Sequence, residues 1–234
     1  MSVLQSIYLV CHGETAWSLT GQHAGLTDLP LTARGERNAR RLGERLMGQA
    51  FARVFTSGCQ RARRTCQLAG FASAACVDRE LAEWNCGDYE GRRTEEIHFE
   101  DSGWQLFRDG CPGGESPNQV RARAGHILKR VRAIKGDVLI FSSGHFLSAL
   151  ATCWLGLELR AGEFLPLSAS SLSVIGYKHN FSQPAIHLWN DTSHLEGETI
   201  EELKYCLPGC SGGDRPAAMA GLLFGRSGRR PCPG

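Results

Sequence analysis

Short apolar runs rich in β-branched and aromatic residues recur along this chain, and stretches of helical periodicity stand between them. Ile7–Val10, Arg53–Thr56, Asp137–Ser142, Ser171–Tyr177 and Ala185–Trp189 each have the length and character of a strand. A helical pattern opens at Thr32, with Ala39, Leu42 and Leu46 on one face and Arg37, Arg40, Arg41, Glu44 and Arg45 on a solvated opposite face. Gln60–Ala69 is a second helical stretch. Pro117 starts a long amphipathic one, striped by Val120, Ala124, Ile127, Val131 and Ile134. Strands alternating with helices need crossover connections. The alternation therefore predicts an α/β three-layer sandwich, with a mainly parallel central sheet and helices on both faces.

The chain of 234 residues is long enough for one well-filled domain, assigned to residues 1–195. Residues 196–234 read as a Gly/Pro-rich, disordered tail. Seven glycines and four prolines fall in 207–234, which leaves too little apolar surface to offset the entropy of ordering it. A net charge of +2 gives no reason to expect nucleic acid as a partner, and no apolar run approaches the roughly 20 residues of a membrane span. With no signal-peptide pattern at Met1–Gln5, the expected address is cytoplasmic. The ten cysteines form no C-x-x-C pair, and Cys206 and Cys210 have no histidines at metal spacing. Reduced thiols are expected, with no metal and no cofactor.

Polar clusters follow several of the strands. Cys11-His12-Gly13-Glu14-Thr15 comes directly after the first, at the carboxyl end where α/β sheets collect ligands. Ser57-x-x-x-Arg61 follows the second, and Ser142-Ser143-Gly144-His145-Phe146 follows Asp137–Ser142. Glu83-Trp84, leading to Gly87-Asp88-Tyr89-Glu90-Gly91, then Arg108-Asp109-Gly110 and Gly113-Gly114-Glu115-Ser116, lie in loops. A neutral imidazole is a competent nucleophile toward phosphorus, a guanidinium can hold the oxyanion, and a carboxylic acid can protonate a leaving oxygen. Bland readings stand beside these. Arg61 fits an exposed helix arginine, Glu83 a surface-loop acid and Ser57 a helix cap.

Taken together these motifs resemble the histidine phosphatase (phosphoglycerate mutase-like) superfamily over about residues 5–195. The finer similarity is to its sugar-phosphatase branch, which includes sedoheptulose bisphosphatase. Gly21-Gln22-His23-Ala24-Gly25-Leu26-Thr27-Asp28-Leu29-Pro30-Leu31-Thr32, Glu83-Trp84 and Arg108-Asp109-Gly110-Cys111 carry that similarity. The resemblance implies a metal-independent phosphomonoesterase acting on sugar phosphates or bisphosphates. His12 is the implied nucleophile, forming a phosphohistidine, and Glu83 the acid and then the base. Arg61 is the implied phosphate ligand. His145 is placed with the catalytic residues. Cys11, Gly13, Gln22, Ala24, Gly25, Ser57, Ser143 and Gly144 join Arg61 in the expected phosphate or substrate site. A small phosphorylated metabolite is the expected partner, with a homodimer open.

The departures are equally definite. The family has Arg-His-Gly where this chain has Cys11, and a thiol supplies neither the charge nor the fork of a guanidinium. Ser143 occupies the register of the family's second catalytic histidine, and His145 follows two residues later. On that turn His145 either reaches the phosphate or packs into the following helix. A cysteine nucleophile at Cys11 would need an arginine-bearing loop after it, and Gly13-Glu14-Thr15-Ala16 supplies none. A catalytically inactive homologue that binds phosphorylated ligands, and a phosphoglycerate mutase, remain alternatives to a phosphatase.

Overall fold

The computed structural model describes residues 4–195. The tail assigned to 196–234 lies outside the described residues. The chain runs β1 (Ile7–Cys11), α1 (Ala16–Thr20), α2 (Ala33–Arg45), β2 (Arg53–Thr56), α3 (Gln60–Leu68), β3 (Ala75–Val77), α4 (Thr94–Glu100), α5 (Leu106–Asp109), α6 (Pro117–Arg132), β4 (Val138–Ser142), α7 (Gly144–Trp154), β5 (Leu172–Tyr177) and β6 (Pro184–Asp191).

One six-stranded sheet has the order β3-β2-β4-β1-β5-β6. The pairs β2–β3, β2–β4 and β1–β4 are parallel, and β1–β5 and β5–β6 are antiparallel. The sheet is mainly parallel, as the sequence pattern predicts. It also holds a strand that pattern does not reveal: Ala75-Cys76-Val77 is too short to show alternation and runs along the sheet's edge.

Strand alternation divides the core between two faces. Ile7, Leu9, Val138 and Ile140 pack with Val120, Ile127 and Leu150 of α6 and α7. Val10, Leu139 and Phe141 pack with Leu42 and Cys66 of α2 and α3. β4 is buried along its whole length, which suits its uncharged VLIFS sequence.

Helix starts follow from the local sequence. Thr32 accepts from the Gly35 N–H at the head of α2. Ser116 and Gln119 form a capping box at α6, with Pro117 in its first turn. The α2 arginines are less uniformly solvated than their pattern suggests. Arg45 reaches Asp191 of β6 at 3.7 Å, and Arg41 donates to the Leu195 carbonyl. Among the described residues no helix is long and apolar enough to cross a membrane.

Candidate active site

The parallel strands β1, β2 and β4 end at one edge of the sheet, with Cys11 opposite Ser142 and Thr56 opposite Phe141. Their carboxyl ends bring His12, Ser57 and Ser143 together, although these residues are far apart in sequence. The His12 backbone is fixed on both sides: its N–H donates to the Ser142 carbonyl (2.9 Å), and its carbonyl accepts from the Ser170 N–H (2.9 Å).

The His12 ring is 8% exposed, and Nδ1 lies 2.8 Å from the Gly13 carbonyl oxygen. A carbonyl can only accept, so the ring proton sits on Nδ1 and the Nε2 lone pair is left free. Burial, helped by the nearby Arg61 charge, pushes the His12 pKa down to about 4. The imidazole is therefore neutral at neutral pH. Gly13 supports this turn rather than offering a free amide. Its N–H already donates to Thr65 Oγ1 (2.8 Å), and a Cβ there would lie 2.8 Å from the Gly35 carbonyl oxygen.

Glu83 is a buried acid at 6% exposure, not a loop-surface carboxylate. Its Oε1 accepts from the Trp84 and Phe146 N–H groups, both at 2.8 Å. Oε2 accepts from the His145 N–H (3.2 Å) and lies 3.6 Å from His145 Nδ1. Two of these N–H groups belong to the open first turn of α7, so the carboxylate serves as that helix's anchor. Burial favours the neutral acid, but His145, the Trp84 N–H, Arg61 and the Phe146 N–H together outweigh it and hold the Glu83 pKa below its ordinary value. Glu83 is thus ionised at neutral pH. These contacts also settle the orientation of His145: it stands in the cleft, 40% exposed, instead of packing beneath α7.

Arg61 lies behind this pair at 0% exposure, so it is not a surface helix arginine. Nη1 donates to the Thr27 carbonyl and Nη2 to the Gly25 carbonyl, each at 2.8 Å, and Nε has no partner. Gly25 therefore acts through its carbonyl on Arg61, not by lining the cleft. Ser57 does not cap α3. Cys59 is the N-cap residue, and Asp28 Oδ1 accepts from the Gln60 N–H (2.7 Å) across the loop. Ser57 Oγ and Ser143 Oγ are buried without partners, as is Arg61 Nε. Unpartnered buried polar atoms are uncommon, and three at one sheet edge suit contact with a polar ligand. Arg64, on the outer part of α3, pairs with Glu36 at 2.7 Å.

The cleft in front has a volume of about 430 Å³. Of the residues singled out from sequence, Cys11, His12, Gln22, Ala24, Glu83, Gly144 and His145 line it. Gly13, Gly25, Ser57, Arg61 and Ser143 are buried and do not line it, and three of them hold the unpartnered polar atoms just named. Burial, with the Glu83 charge adding to it, pushes the Cys11 thiol up to about 12. The thiol is protonated and inert, which removes the cysteine-nucleophile reading.

Residues 7–192 match the histidine phosphatase superfamily (branch 1). The chain belongs to this superfamily. An acid phosphatase of Mycobacterium tuberculosis is 36% identical over 184 residues, covering 77% of this chain and 90% of the relative. Sedoheptulose 1,7-bisphosphatase of Saccharomyces cerevisiae is 34% identical over 184 residues, covering 65% of this chain and 68% of the relative. A solved structure of a Mycobacterium tuberculosis open reading frame shares the fold with a TM-score of 0.75 at 33% identity, over 80% of this chain and 97% of that one. This histidine phosphatase-family cleft contains one side chain that motif reading left out. His23 is buried, its ring lies 5.6 Å from that of His145, and Nε2 is 3.2 Å from Thr94 Oγ1. Burial, with His145 beside it, pushes the His23 pKa down to about 4. The sequence signal was its place in the Gly21–Thr32 stretch. Only the backbone bonds of His23 with Arg92 and Gly91, on the loop leading to α4, bring it to the site.

Proposed function

We propose that this chain is a phosphomonoesterase that hydrolyses sugar phosphates through a phosphohistidine at His12, with no metal required. The observation that carries the reading is the state of the His12 ring: neutral, with its proton committed to the Gly13 carbonyl and its Nε2 lone pair free beside the cleft. In the first step Nε2 attacks phosphorus, the bond from phosphorus to the ester oxygen breaks, and that oxygen takes a proton through Glu83. In the second step Glu83, again a carboxylate, accepts a proton from the water that attacks the phosphohistidine and frees His12.

The ionised state of Glu83 adds a condition. The proton for the leaving oxygen must enter with the substrate, so the phosphate monoanion is the productive form. Arg61 Nε, Ser57 Oγ and Ser143 Oγ are the buried donors available to the phosphoryl group. They offer hydrogen bonds, with one positive charge from Arg61, and do not replace the charge that an arginine at position 11 would have supplied. The open position of His145 admits water to the intermediate, which favours hydrolysis over phosphoryl transfer to a second substrate.

The test is release of nitrophenol from 4-nitrophenyl phosphate in the presence of a chelator, with mass spectrometry of protein quenched during turnover in alkaline denaturant, where a phosphohistidine survives. The expected result is turnover with a phosphoryl adduct on the peptide carrying His12, both abolished in His12→Ala. Turnover that survives His12→Ala would overturn the mechanism. No turnover by a folded chain, together with a phosphate-induced rise in Tm, would establish the inactive, ligand-binding homologue instead.

A further inference from the structure

The cleft continues past His23 and His145 into an outer compartment of about 350 Å³. The two share His23, Thr94, Phe107, His145 and Glu163. The phosphate end carries Glu83, and the outer end adds His98 and Trp104. Neither compartment has a lysine or arginine among its described lining residues. Among the described lining residues the other carboxylate is Glu163, exposed at the rim in the turn Leu159–Phe164.

A second phosphate or a carboxylate on the alcohol portion of a substrate would enter this outer compartment. It would meet a carboxylate and no side-chain cation of fixed charge. Arg108 is a basic side chain within electrostatic reach of Glu163, but its fork is already bidentate on Asp109, with Nε and Nη2 each at 2.8 Å. The opposite wall is aromatic: the Phe107 ring stands 6.1 Å from the His145 ring, and a Cβ at Gly162 would lie 2.4 Å from Phe107. Gly162 thus leaves room for the Phe107 face, which offers apolar contact or cation–π attraction but no site for an anion.

We infer that this cleft selects monophosphates whose alcohol carries no second anion, and that Glu163 is the specificity-determining residue. This rests on the reading of the cleft as a phosphomonoester site. Within the substrate class expected from sequence, it favours monophosphates over bisphosphates. A neutral polyol and an ammonium-bearing alcohol are both accepted, the latter by pairing with Glu163 at the rim. Like charges brought together at a binding surface disfavour the wrong ligand, although solvent screening at an exposed carboxylate keeps the effect moderate.

The experiment is calorimetric titration of the His12→Ala protein, in which turnover is blocked, with glycerol 3-phosphate, phosphoethanolamine, 3-phosphoglycerate, fructose 1,6-bisphosphate and inorganic phosphate. The expected result is that glycerol 3-phosphate and phosphoethanolamine bind at least about tenfold tighter than the two ligands with a second anion. Glu163→Lys, at an exposed position that leaves the fold intact by Tm, should shrink that ratio at least about threefold. Equal or tighter binding of the bisphosphate, or a ratio unmoved by Glu163→Lys, overturns the inference while phosphate binding stands. Failure of every phosphate compound, inorganic phosphate included, to bind overturns the phosphomonoester reading itself.

Discussion

The depressed pKa of His12 makes a quantitative prediction about acid. Only the neutral ring can attack phosphorus, so the acid limb of kcat/KM reports the pKa of His12 in the free protein. With that pKa at about 4, about nine-tenths of the rings are neutral at pH 5. At the ordinary value of 6.5 only about 3% would be, so the two cases differ about thirtyfold in rate at pH 5. The same shift bears on stability. The folded ring resists protonation and the unfolded ring does not, so the unfolded state binds more protons between about pH 6.5 and 4. Stability is lost as pH falls through that window, by about 2 kcal/mol at pH 5 from this ring alone. The assay is initial rates of 4-nitrophenyl phosphate hydrolysis from pH 3.5 to 8, with near-ultraviolet circular dichroism at each pH to confirm folding. Denaturant titrations of the natural chain and of His12→Gln, which has no ring to titrate, give the stability component. An acid limb centred near 6.5 with the fold intact, or equal acid sensitivity of the two proteins, would refute the argument that burial and Arg61 keep this ring neutral.

Three further outcomes are expected. Glu83→Gln should lower kcat by about 10²–10⁴, because the amide can neither give nor take the proton, and an unchanged rate in initial-velocity assays would remove Glu83 from the mechanism. Cys11→Arg combined with Ser143→His should raise kcat/KM by about 10²-fold or more by restoring charge at the phosphoryl oxygens; no gain in a folded double variant would place the rate limit elsewhere. Trp84 is fully buried, donates from Nε1 to the Glu115 carbonyl (2.9 Å) and meets Phe107 edge-on at 5.4 Å. Trp84→Ala should cost about 3–5 kcal/mol in chemical denaturation.

The parts of the fold visible in sequence were those governed by local periodicity. Long apolar runs such as Ile7–Val10 and the α6 stripe declare themselves, because a strand repeats every two residues and a helix every 3.6. β3 escaped because Ala75-Cys76-Val77 holds too few residues to show a period, and its place is set by pairing with β2. The site divides in the same way. His12 is marked by its position after a strand. The direction of the His145 ring depends on Glu83, which is 62 residues away in sequence and touches the His145 backbone. His23 is brought in by bonds to Arg92 and Gly91, again distant in sequence. Gly25 was read as a contact to phosphate, yet a motif cannot distinguish a residue that faces a ligand from one that braces its neighbour. Only the bond from Arg61 Nη2 to the Gly25 carbonyl separates the two roles.

The bonds that fasten Glu83 to the start of α7 have a cost for any attempt to change its acidity. The same two oxygens that would exchange protons with substrate also restrain the segment bearing His145, so proton affinity and the rigidity of that segment are tied together. A substitution that keeps this carboxyl protonated nearer to neutral pH, by taking away an amide donor, must also slacken the mooring of the imidazole opposite it. Retuning the working pH of this cleft should therefore be easier through charges placed farther out than through the carboxyl's own bonding partners.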